Sequence, residues 1–121
     1  MVEMRFGAVE AKFADVVWAH VPMTTGELVK TCEKEFNWKR TTTYTSLKRL
    51  CERGVFQSQD GTVTALISRE EFYSMQSEKV VEESFDGSLP AFIAAFTKRK
   101  ALSAEEVVEI RKLIDAAGKE G

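Results

Sequence analysis

The dipeptide Asp60-Gly61 stands between two short runs rich in β-branched and aromatic residues, Val55 to Gln59 and Thr62 to Ile67. An Asp-Gly pair so placed is the strongest two-residue signal for a β-hairpin, because its turn needs positive φ at both positions. A lone two-stranded hairpin is barely stable in water, so the rest of the chain must supply the layer it packs on.

Most of what precedes the hairpin reads as helix. From Phe6 to His20 the residues Phe6, Val9, Phe13, Val16 and Val17 recur at helical spacing, and Pro22 marks the end. Thr24-Thr25-Gly26-Glu27 has the order of a capping box, opening a second helix whose apolar stripe is Leu28, Val29, Cys32 and Phe36. Asn37-Trp38 breaks the pattern. A third helix is expected from about Arg40 to Arg53, closed by Gly54. At 100° per residue, Thr43, Leu47, Leu50 and Cys51 fall on one side of it, and Thr41, Thr42, Thr45, Lys48, Arg49 and Glu52 on the other.

Three helical segments follow from Ser68. Ser68-Arg69-Glu70-Glu71 opens a capped helix carrying Phe72, Tyr73, Met75, Val80 and Val81, with Gly87 at its end. Leu89, Phe92, Ile93 and Phe96 then repeat at i, i+3, i+4, i+7, the stripe of a helix buried against something large. After the basic connector Lys98-Arg99-Lys100, Ser103 to Glu106 form another capping box before Val107, Ile110, Leu113 and Ile114. The fold expected is mainly α with a small β-hairpin: a winged helix-turn-helix over residues 1–67, then a helical dimerisation domain over residues 68–121. A 121-residue chain has room for one real core, and the last fifty or so residues make a marginal core by themselves. Phe92, Ile93, Phe96, Ile110 and Ile114 are therefore assigned to a homodimer core.

Charge distribution points to the ligand. The net charge of −2 is unevenly spread: residues 1–67 hold nine Lys/Arg against eight Asp/Glu, and residues 68–121 hold eight against eleven. Between Trp38 and Arg53 there are Lys39, Arg40, Lys48, Arg49 and Arg53 against Glu52 alone. Phosphate binding needs local cations, whatever the total. Exposed threonines lower helix propensity, so their use on the third helix calls for a compensating role. Their hydroxyls bond phosphates or base edges, their methyls meet the thymine methyl, and arginine grips guanine with two bonds. Lys39, Arg40, Thr41, Thr42, Tyr44, Thr45, Lys48 and Arg49 are the candidate DNA-binding residues. Tyr44 falls at the flank, where it either reaches a phosphate or packs under the helix. An alternative is a winged helix used only to bind protein.

Other chemistries find little here. The acid pairs Glu70-Glu71, Glu82-Glu83 and Glu105-Glu106 diverge by 100° on their helices, and two of them belong to capping boxes. No nucleophile–base set or phosphate loop occurs, so no enzyme and no cofactor is expected. Cys32, Cys51 and His20 make no metal ligand set; buried thiols are the simplest reading, with a metal or redox role the other. No run approaches eighteen uncharged apolar residues, and Met1-Val2-Glu3-Met4-Arg5 lacks signal-peptide order, so a cytoplasmic protein without membrane contact is expected.

One resemblance is specific. Trp18-Ala19-His20, Pro22-Met23-Thr24, Asn37-Trp38-Lys39-Arg40-Thr41-Thr42-Thr43-Tyr44-Thr45-Ser46-Leu47-Lys48-Arg49-Leu50 and Gly54 resemble the penicillinase-repressor family. Leu66 to Phe72, Phe85 to Leu89 and Phe92 to Phe96 continue the likeness over nearly the whole chain. It implies a dimeric repressor binding double-stranded, palindromic operator DNA, with Thr42 and Thr45 toward base edges, Thr41 and Tyr44 beside them, and Arg49-Leu50 matching the family's Arg-Leu pair. Members controlled by a sensor protease are cut at an Asn-Phe bond. Here the matching bond is Ala95-Phe96, which argues against that partner. The cysteine cluster of copper-responsive members has no counterpart after Cys51.

Overall fold

A computed structural model describes residues 6–118. Met1 to Arg5, whose order was weighed above as a signal peptide, lie outside them. The elements are α1 (Ala8–His20), β1 (Met23–Thr24), α2 (Thr25–Phe36), α3 (Arg40–Glu52), β2 (Phe56–Gln59), β3 (Thr62–Ala65), α4 (Arg69–Phe85), α5 (Leu89–Thr97) and α6 (Ala104–Ala117).

Local chemistry sets most boundaries. Thr24 Oγ1 accepts from the Glu27 amide at 3.1 Å while the Glu27 carboxylate accepts from the Thr24 amide at 3.0 Å. Ser68 with Glu71 and Ser103 with Glu106 repeat this reciprocal pair at α4 and α6. Asn37 ends α2 in the left-handed region at φ 57°, and its side-chain type tolerates that conformation. Asp60 (φ 52°) and Gly61 (φ 77°) make the turn between β2 and β3 that the sequence demanded.

The chain divides into two compact units. The first runs on to Lys79, past the boundary drawn at residue 67, because Phe72 of α4 is fully buried in its core. Phe13, Ala14 and Val17 from α1, Leu28 and Cys32 from α2, Leu47 and Leu50 from α3, and Val55, Phe56 and Val63 from the hairpin complete that core. Phe72 stacks on Phe6 at 4.3 Å between ring centroids and meets Trp18 at 5.7 Å. The Trp18 indole N–H donates to the Ile67 carbonyl at 3.0 Å, so its one polar atom is satisfied within a part-buried aromatic cluster.

Two expectations need correction. The wing is not a simple hairpin: β1 joins it, giving a three-stranded antiparallel sheet in the order β1-β3-β2, with Met23 opposite Val63 and Phe56 opposite Ala65. Val9 does not face the core. The buried face of α1 centres on Phe13, Ala14 and Val17, about a quarter-turn round from Val9 at 100° per residue, and leaves Val9 62% exposed.

The second unit, from Val80, contains the end of α4 with α5 and α6. Neither α5 nor α6 has a buried residue. Phe85 and Phe92 meet edge to face at 5.4 Å, and Phe92 and Ile110 are half-buried. Ile93, Phe96 and Ile114 are exposed, joined by Leu89, Val108 and Leu113.

Candidate nucleic-acid interface

Helix α3 has one face for the protein and one for solvent. Thr43, Leu47 and Leu50 are buried, anchoring it against the core. Thr43 is polar yet 1% exposed; its hydroxyl donates to the Lys39 carbonyl at 3.5 Å and also meets the buried Cys32 thiol. Lys39, the N-cap of α3, and Arg40, Thr41, Thr42, Tyr44, Thr45, Lys48 and Arg49 on the helix are all exposed. Tyr44 keeps 39% of its surface, so its ring is partly covered and partly open to solvent.

The electrostatics of this face are simple. Among the described residues, no ion pair engages Lys39, Arg40, Lys48 or Arg49. Arg53 is different. It pairs with Glu10 of α1 at 3.1 Å, so its charge ties the end of α3 to the core.

Two features escaped the sequence reading. The N-cap of α3 is Lys39, with no side-chain cap and no acid in the first turn, whereas α2, α4, α5 and α6 start on a Ser or Thr whose oxygen accepts from the helix. The first amides of α3 and the positive end of its dipole are left for an anion. The missing cap residue was readable in the sequence, but only once the helix start was fixed. The wing is the second feature: Val55 to Ile67 contains no Lys or Arg and one acid, Asp60, exposed at its tip.

The cysteines stand apart from this face. Burial pushes both thiols up from their ordinary range, offset in part for Cys32 by its bond with Thr43 and for Cys51 by the Ser58 backbone. Among the described residues no group of three His, Cys, Asp or Glu could hold a metal ion, and no helix is long and apolar enough to cross a membrane.

A three-helix core, a sheet-borne wing and a third helix with an exposed threonine and cation face define a winged-helix regulator of the DNA-binding class. Comparison with known proteins gives the family. The family model described as penicillinase repressor matches residues 6–116, and the chain belongs to that family. A penicillinase repressor of Bacillus licheniformis is 26% identical over 110 residues, covering 88% of this chain and 86% of that protein.

Proposed function

We propose that the protein is a cytoplasmic transcriptional repressor that binds a palindromic operator as a homodimer, laying α3 of each chain in the major groove. The observation that carries this reading is the two-sided α3. Its packing face fixes the helix on the core, and its outer face offers unpaired cations and threonines beside an uncapped N-terminus. In helix-turn-helix proteins the N-terminal part of the second motif helix meets base edges, which suits Thr41, Thr42 and Thr45. Lys39, Arg40 and Lys48 then hold phosphates, Tyr44 flanks them, and Arg49 grips a base or a phosphate.

Pairing of two chains rests on the second unit. Helices α5 and α6 bury nothing of their own, and Ile93, Phe96 and Ile114 stand exposed beside half-buried Phe92 and Ile110. Apolar groups in that state gain about 25 cal/mol for each Å² removed from water, and a second copy provides the cover. Relief of repression by cleavage at the Ala95-Phe96 bond is not part of this reading, since asparagine is missing.

Mobility shift on promoter fragments, including the one upstream of its own gene, tests the function. Retardation at low salt that survives excess random DNA is expected, and no shift on any fragment refutes the repressor reading. Sedimentation tests the pairing: the native chain should run as a dimer and Phe96→Asp as a monomer. A Phe96→Asp chain that stays dimeric places the interface elsewhere.

A further inference from the structure

We propose that Thr45 reads its base pair through its γ-methyl group, in apolar contact with the 5-methyl of thymine, and not through its hydroxyl. The inference rests on the operator-reading role proposed for α3 and gives that role a chemistry at one position.

Its ground is a hydrogen bond. Thr45 Oγ1 donates to the Thr41 carbonyl at 2.8 Å, in the middle of the range for a good O–H···O bond. A hydroxyl has one proton, so while this bond holds Thr45 has none to offer a base acceptor and keeps only its lone pairs, which could accept from adenine N6 or cytosine N4. The β-carbon is tetrahedral. Turning Oγ1 back onto the preceding helical turn leaves the methyl as the outward group, on a residue that is exposed.

The neighbouring threonines differ. Among the described residues the hydroxyls of Thr41 and Thr42 have no hydrogen-bond partner, so both keep a proton for a phosphate or a base edge. Thr43 also bonds back to the backbone, but it faces the core. Thr45 is thus the one exposed threonine of α3 whose donor is already engaged. In the major groove the group that an outward methyl can recognise is the thymine 5-methyl, which no other base carries.

The test needs an operator, recovered by selecting random duplexes with the native chain. Deoxyuridine then replaces each operator thymine in turn, and affinities are measured by fluorescence anisotropy for the native chain and for Thr45→Val, Thr45→Ser and Thr45→Ala. One thymine position should weaken native binding about fourfold per half-site when its methyl is removed, and about sixteenfold with both half-sites altered, the value of burying one methyl in each. Thr45→Val keeps the γ-methyl and replaces the hydroxyl with a second methyl, so it should bind as the native chain does and keep that penalty. Thr45→Ser and Thr45→Ala should bind the thymine operator more weakly and be indifferent to deoxyuridine. If Thr45→Val falls as far as Thr45→Ala while Thr45→Ser binds normally, the hydroxyl is the reader and the inference is wrong. A native selection that enriches no sequence refutes the operator reading itself, so the two failures are distinguishable.

Discussion

The salt dependence of binding can be worked out from α3 before any operator is known. Lys39, Arg40, Lys48 and Arg49 are exposed and free of ion pairs among the described residues, Arg53 is held by Glu10, and the wing from Val55 to Ile67 adds no cation. Each phosphate neutralised on duplex DNA releases about 0.9 counterion, so four cations per chain in a two-chain complex set a ceiling slope of about −7 in log affinity against log salt. From about 50 to 200 mM salt, affinity should then fall by up to about 10⁴-fold. Lys48→Ala removes one contact per chain, making the slope shallower by about 2 and weakening operator and random DNA alike. Anisotropy titrations of a labelled operator across that range measure both slopes. A Lys48→Ala slope equal to the native one would mean that Lys48 meets no phosphate. A native slope much steeper than −7 would mean that cations outside α3 take part, and they could not come from the cation-free wing.

Three further outcomes test the fold. Phe72→Ala should lower unfolding stability by about 3–5 kcal/mol in urea melts followed by tryptophan fluorescence, since the ring is fully buried and stacked on Phe6; a loss under about 1 kcal/mol would put α4 outside the core. Hydrogen bonds from the backbone and side chain of Thr24 hold the Glu27 carboxyl below its ordinary value, and Ser68 does the same for Glu71. A lowered folded pKa means stabilisation that is present above the unfolded value of about 4.3 and lost as pH falls through the folded one. A Glu27→Gln/Glu71→Gln chain should therefore trail the native urea midpoint near neutral pH and converge on it in acid; the same gap at both pH values contradicts the assignment. Because burial raises both thiols, Cys32 and Cys51 should react with a maleimide far more slowly than free cysteine at neutral pH, and rapid labelling of Cys32 would show that its site opens readily.

The features legible in the sequence were those carried by local rules. The two faces of α3 follow from a fixed 100° step, the turn at Asp60-Gly61 from the φ values those residues accept, and the starts of α2, α4 and α6 from a hydroxyl and a carboxylate three positions apart. Features requiring a distant partner stayed hidden. Met23 and Thr24 are too few to show an alternation, and they become a strand only because Val63 and Thr62 lie opposite. Ala14 is fully buried on the α1 core face, but its small side chain gives a hydrophobic stripe little weight beside Val9. Arg53 counts as one more cation in its segment until Glu10, forty-three positions earlier, claims it. The candidate site residues all lie within Lys39–Arg49 and are exposed, so a local rule was enough to nominate them.

If two chains pair through α5 and α6 as proposed, the cap on α6 bears on how quickly they join. An isolated fourteen-residue helix is marginal in water, and α6 has no buried residue to hold it. Ser103 and Glu106 close its first turn from within, which favours the helical state by about 1 kcal/mol whether or not a partner is present. In the homodimer proposed above, a better-formed α6 leaves less ordering entropy to lose on encounter. Breaking that cap with Ser103→Ala should slow association more than it speeds dissociation, because the damage falls on the unpaired chain.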